Sequence, residues 1–196
     1  MKKLIFVICM FIAFQMMADI MSLRILAIFG FSVDGGTLVY PLTFVARDLI
    51  HRLSNKDTAR QVVITSALIN VLMIGMFFLV AKISPDMSVG EQVEFGALLL
   101  PTWRIVVASI LAELLAGIAD GELYHLWSKI KPRSTWQRAI FSNLFSIPLD
   151  SIIFCSLAFV GTMPFSVVSS IIVSNILIKF ILAGIFTPIA YARTKS

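Results

Sequence analysis

The sequence predicts an all-α integral membrane protein, a single domain of six transmembrane helices over residues 1–196. Three observations predict it. Hydrophobic residues make up 59% of the chain, charged residues 14%, and the mean hydropathy is +0.95; soluble domains run at about 45–50% apolar and about 25% charged. Apolar runs suited to crossing a hydrocarbon layer of about 30 Å at about 1.5 Å per residue recur at about 3–23, 36–53, 59–83, 101–127, 135–160 and 165–191. Of the sixteen Lys and Arg residues, only Arg24, Lys82, Arg104 and Lys179 fall outside the inner helix ends, the inner loops and the tails. The remainder gather on one side, which by the positive-inside bias places both termini in the cytosol.

The first span opens on MKKLIFVICMFIAF, which starts like a signal peptide. Its small-residue cleavage site is poor and its apolar run continues to Met21, so it reads as a span. Gln15 and Asp19 share one face of it, and Asp19 is expected at the outer interface near Arg24. Ile25 to Thr37, ending in a Gly-rich stretch, reads as a re-entrant or interfacial piece on the outer side. The second span holds Tyr40, Pro41, Phe44, Arg47 and Asp48, and Pro41 is expected to kink it at depth. In the turn LSNKDTAR, Asn55 is suited to end the second helix in a left-handed conformation. Asp57 or Thr58 would cap the third. The third span is a scaffold helix with Asn70 as its main polar residue. The loop Ser84 to Leu100 carries Asp86, Glu91 and Glu94 without a Lys or Arg, and is expected outside the cell.

The fourth span carries the unusual residues. Arg104, Glu113 and Asp120 interrupt the apolar run Pro101 to Lys131, and an ionisable group at the bilayer centre costs about 2.5–3.5 kcal/mol or more. At about 100° per residue, Ser109, Glu113, Ala116, Gly117, Asp120 and Tyr124 fall on one face. Arg104 lies about 160–180° away. The fifth span places Asn143, Ser146 and Asp150 on one face, with Pro148 freeing backbone beside Asp150. The sixth places Asn175 and Lys179 on one face. Measured from the middle of each span, Glu113, Asp150 and Lys179 share a depth within about two turns of the bilayer centre. Buried ion pairs stabilise weakly, so three such groups at one depth point to a polar cavity that holds a ligand.

Several classes are set aside. The basic residues are dispersed at helix ends rather than gathered on one patch, which argues against nucleic acid. Cys9 and Cys155 lie inside apolar runs with no Cys/His spacing for a metal or a disulfide framework, and no cofactor is expected. His51 and His125 read as interfacial. No G-x-S-x-G or H-E-x-x-H motif and no Ser/His pair at one depth supports an intramembrane enzyme. A purely structural protein would have an apolar interior. No internal repeat supports an inverted-repeat transporter.

The pieces PLTFVARD (Pro41–Asp48), Ala59–Arg60, RIVVAS (Arg104–Ser109), Asp120, the W-x-R of Trp136–Arg138, SNLFSIPLDSIIF (Ser142–Phe154), Ala158–Phe159 and Lys179, in this order and spacing, resemble the queuosine-precursor transporter family, also called the vitamin-uptake-transporter family. The resemblance implies a six-helix importer of 7-cyano-7-deazaguanine or a related deazapurine in the bacterial cytoplasmic (inner) membrane. It also implies a bundle akin to the substrate-binding subunits of energy-coupling-factor vitamin importers. Family positions that carry over are Asp48, Arg104, Ser109, Asp120, Asp150 and Lys179. The chain departs from the family pattern at Asn55, at Arg52, and at Gly117 with Glu113 one turn earlier. A guanine-like edge presents N–H and NH₂ groups to a carboxylate and a carbonyl to Lys or Asn. Glu113 or Asp150 is therefore expected to read that edge, with Lys179 and Asn175 toward the carbonyl. Tyr40, Phe44, Phe154 and Trp103 are candidates to stack on the ring. Asp120 and Asp48 would shape the exit or carry a proton. The bulky first span lacks an AxxxA-like run, which favours a stand-alone secondary transporter over the alternative, a substrate-binding subunit that needs an ATPase module. The lipid bilayer and the deazapurine are the expected partners; proton or sodium coupling by symport and a homodimer are open.

Overall fold

The structure is a computed structural model that describes residues 2–130 and 135–192. Within helices, the side chains at 41, 44, 48, 51, 52, 56, 120, 124, 125, 127–130, 135–140, 142 and 186–192 lie outside the described set. The elements in order are α1 (Lys2–Met21), β1 (Ile25–Ile28), β2 (Phe31–Asp34), a 3₁₀ turn (Gly35–Leu38), α2 (Tyr40–Leu53), α3 (Lys56–Lys82), α4 (Val93–Leu99), α5 (Thr102–Ile130), α6 (Thr135–Phe159) and α7 (Phe165–Ala192). The fold is thus mostly helical, as the composition predicts. Four helical stretches among the described residues are long and apolar enough to cross a membrane: Lys2–Met21, Asp57–Lys82, Val93–Ala116 and Phe165–Ile185. A fifth apolar stretch, Asn143–Phe159, is shorter. The chain is a multi-pass helical membrane protein.

Four local expectations are corrected. The interfacial piece after α1 is a two-stranded hairpin, so the fold is not purely α. β-branched and aromatic residues flank Phe29 and Gly30, which both take positive φ, 50° and 83°, the twist a two-residue hairpin turn demands. Pro41 does not kink α2; it occupies its first turn, where a missing N–H costs nothing. Asn55 does not end α2 in a left-handed conformation. Its backbone is extended (φ −157°, ψ 176°) and its side chain accepts the Thr58 N–H at 2.8 Å, capping α3. The stretch Ser84 to Leu100 is not loop throughout, because Val93–Leu99 forms α4 ahead of Pro101. Pro101 lacks the N–H that would continue that ladder. The chain restarts as α5, and the stretch long and apolar enough to cross a membrane is Val93–Ala116.

The chain divides into two compact units, Met1–Ile25 with Asp34–Val107, and Leu26–Val33 with Ala108–Ser196. In the first, α1 packs on α2, on α3 and on the 3₁₀ turn. Its apolar centre is Phe11, Ala46, Ile50, Ala59 and Val62. The helix α3 buries Ala59, Val62, Ser66, Asn70 and Met73, a stripe at helical spacing, and turns Leu68, Leu72 and Leu79 outward. At its other end, Asp34 caps the 3₁₀ turn, accepting from Gly36 N–H and Thr37 Oγ1–H at 2.8 Å each. Gly36 lies against Ala18 O and Ser22 Oγ so closely that no Cβ would fit. Near the end of α1, Asp19 turns into the protein. It is 3% exposed and accepts a hydrogen bond from Asn70 Nδ2 of α3.

The second unit is built on the α6–α7 helical hairpin. Gly161 (φ +84°) makes the turn. Cys155, Ala158 and Phe159 of α6 and Val168 and Ile171 of α7 are all buried. The β2 residue Ser32 is tied to α7, its N–H donating to Ser170 Oγ at 2.9 Å and its carbonyl accepting from Ser174 Oγ at 2.8 Å. Along α5 the small residues Ala108, Ala112 and Ala116 are buried at four-residue spacing, the pattern that lets helices approach closely in a membrane.

Candidate functional site

The predicted site residues that the structure brings together lie on the α6–α7 hairpin. Asp150 sits on α6, two residues past Pro148, the proline inside the helix. Proline there removes the N–H that would bond the Leu144 carbonyl. On α7, Lys179 stands one turn beyond Asn175, on the same face. The Lys179 ammonium donates to Asp150 Oδ2, and both side chains are largely shielded, at 10% and 17% exposure. One turn further into the hairpin, Asn175 is 1% exposed and its Nδ2 donates to Cys155 Sγ at 3.4 Å. Phe154 is 9% exposed and meets Phe159 edge-to-face, with centroids 5.9 Å apart.

Chemically, the pair is neutral overall but not inert. An ammonium has three donors and an ionised carboxylate about four acceptor positions, so each side can engage a third party while still holding the other. The two sit side by side, offering a donor next to an acceptor. Removing one member would strand a buried charge at a cost of about 3–5 kcal/mol. Ser151, fully buried on the same helix, has a hydroxyl with no hydrogen-bond partner among the described residues.

The other predicted positions lie on α2 and α5. Ser109 and Glu113 are one turn from each other on α5 and half-buried, and Glu113 is engaged by a polar interaction. Arg104 and Tyr40 belong to the first unit. Arg104 is half-buried in the first turn of α5 and Trp103 is exposed beside it. Tyr40 opens α2, half-buried, its carbonyl accepting from Thr43 Oγ1 at 2.6 Å. The side chains of Asp48, Phe44 and Asp120 lie outside the described set. Two polar features escaped the sequence reading. The Asp19–Asn70 contact joins residues 51 apart, and Cys155 accepts from Asn175 across the hairpin. The lone Asn70 in an apolar helix was the one visible signal for the first; nothing in the spacing marked the second.

The family described as "Putative vitamin uptake transporter" matches residues 34–193. The chain belongs to this family. The transporter is also similar to a protein of Bacillus subtilis (strain 168) named "Probable queuosine precursor transporter". The two are 28% identical over 184 residues, covering 91% of this chain and 79% of that one. No solved structure matches the transporter. The family match begins at the cap of the 3₁₀ turn and takes in α2 to α7, the Asp150–Lys179 pair included; α1 precedes it.

Proposed function

We propose that the transporter imports a queuosine precursor, 7-cyano-7-deazaguanine or a related deazapurine, as a stand-alone secondary transporter. The observation that carries this reading is the shielded Asp150–Lys179 pair beside the fully buried Asn175, in a chain related to a protein named for that substrate. A deazaguanine has adjacent N–H and NH₂ donors and a carbonyl acceptor. Asp150 is suited to the donors, Lys179 and Asn175 to the carbonyl, through charge-assisted hydrogen bonds. Glu113 is a second carboxylate for the donor edge, and Ser109, Arg104, Asp48, Asp120, Tyr40, Phe44 and Phe154 are the further residues assigned to substrate binding. In this reading the chain crosses the bacterial inner membrane six times with both termini cytosolic. The short α2, interrupted by charge, and the short apolar stretch Asn143–Phe159 of α6, interrupted by Pro148 and Asp150, then supply the remaining crossings.

The test is uptake. The protein is expressed in cells that neither make nor import the precursor, candidate deazapurines are fed, and queuosine in tRNA is measured. Restored queuosine with 7-cyano-7-deazaguanine is the expected result. Normal transport by both E113Q and D150N would sink the site assignment. Uptake into proteoliposomes that contain no ATPase separates stand-alone action from a substrate-binding subunit.

A further inference from the structure

The unit that contains α1, α2 and α3 buries a carboxylate that the substrate site does not use. Asp19 is 3% exposed and is met by Asn70 Nδ2 from α3. Asn70 is itself 2% exposed, and its Oδ1 has no hydrogen-bond partner among the described residues. The same is true of the Ser66 hydroxyl, 1% exposed and one turn earlier on the same face of α3. Leaving a buried polar atom unpaired costs about 1–3 kcal/mol. Two such atoms on consecutive turns, beside a buried carboxylate, mark a place that something else completes. A carbonyl-type oxygen such as Asn70 Oδ1 lacks a donor.

We propose that Asp19 and Asn70 form a proton-binding site that couples import to the proton gradient. The ionised carboxylate accepts from Asn70 Nδ2–H, as in the structure. When Asp19 takes a proton, its new O–H donates to Asn70 Oδ1 once the amide has turned over. The oxygen and nitrogen of an asparagine amide have nearly the same shape, so the turn requires no repacking. The same two side chains therefore satisfy both forms of the acid. One O–H bond forms on Asp19 as one breaks on hydronium, and water leaves. The Ser66 hydroxyl, about 5–6 Å from Asn70 between Cβ atoms, is the next oxygen along α3 for the departing or arriving proton.

Asp19 has a further polar or electrostatic interaction besides that with Asn70, and the charged and titratable groups of the elements packed on the pair are these. On α1 itself, Lys2 and Lys3 lie about 24 Å away along the axis, and Arg24 follows the helix end. From the 3₁₀ turn comes Asp34, whose oxygens are already held by Gly36 and Thr37. Phe11 shares a core with Ala46 and Ile50, so the first turn of α2 points toward Asp19. It brings Tyr40, with Arg47 about two turns further along. The α2 groups Asp48, His51 and Arg52, and Lys56 of α3, have side chains outside the described set. On α3, Asp57, Arg60 and Lys82 are no nearer to Asn70 than about 15 Å.

This inference rests on the transport reading, and one experiment separates their failures. The full-length protein is reconstituted in vesicles, and uptake of 7-cyano-7-deazaguanine is measured with and without an acid-outside gradient, and with and without sodium. Wild type is expected to be stimulated about tenfold or more by the pH gradient and not by sodium. D19N should retain downhill uptake but lose the stimulation. Wild-type vesicles that take up no deazapurine under any condition overturn the transport reading itself. Uptake that ignores the pH gradient, that depends on sodium instead, or that is equally pH-stimulated in D19N overturns the proton site alone. Should D19N not fold, N70S decides. It removes the amide that serves both forms, so its pH profile for uptake must move by about one unit or more. An unchanged profile overturns the proposal.

Discussion

The shielded ion pair on the α6–α7 hairpin sets the residue-scale expectations. D150N or K179M alone leaves a buried charge without its partner, so each should lower stability by about 3–5 kcal/mol. The double variant D150N/K179M removes both charges and should be closer to wild type than either single change. Thermal unfolding in detergent, run as a double-mutant cycle, reads this directly. Uptake should be lost in all three, which separates binding from folding. Outside the membrane, Asp86 accepts the Ser88 N–H at 2.9 Å. That backbone bond, with a side-chain bond from Ser88, holds its carboxyl below the ordinary value of 3.8. The folded value is the lower one, so the turn's contribution is complete above about pH 3.8 and fades only as pH falls through the depressed value. The Ser88 amide shift, followed by NMR, should therefore stay constant down to about pH 4 and move below it. The pairing of Asp150 with Lys179 was legible in the sequence, because opposite charges at one depth on successive membrane helices have few other ways to be neutralised. The contact between Asp19 and Asn70 was not. Each was seen as a polar residue in an apolar helix, but no spacing rule joins two helices across 51 residues.

At the scale of elements, two glycines make opposite predictions. A Cβ at Gly36 would run into Ala18 O and Ser22 Oγ, whereas one at Gly75 in α3 meets nothing within 4 Å. G36A should destabilise by about 1–3 kcal/mol through overpacking. G75A should leave the unfolding midpoint in place or raise it, since alanine is the better helix former. Removing the α3 cap with N55A should cost about 1 kcal/mol. The helices were legible because long apolar runs with capping residues have one reading. The β hairpin was not, because Ile25 to Val33 is apolar apart from Gly30 and Ser32 and periodicity does not separate a short buried strand from a helix. The same holds for the placement of Pro41. Whether a proline kinks a helix or begins one depends on where the helix starts, and the 3₁₀ turn that sets this start rests on tertiary contacts of Gly35 and Gly36 with the end of α1.

For the whole molecule, the distribution of basic residues predicts the topology. In a C9A background, a membrane-impermeant thiol reagent applied to intact cells should label S88C in the outer loop. It should reach N55C, in the turn between α2 and α3, only after permeabilisation; the opposite pattern would invert the orientation. The background keeps Cys155, which is fully buried on the α6 face toward α7, its sulfur bonded to Asn175. A larger alkyl group has no room on that sulfur while the two helices are closed. The molecule thus contains its own stopwatch. The rate at which a small lipid-soluble alkylator consumes this thiol times the parting of the hairpin that carries Asp150 and Lys179, and a ligand that clamps these two side chains should slow the clock without any engineered label.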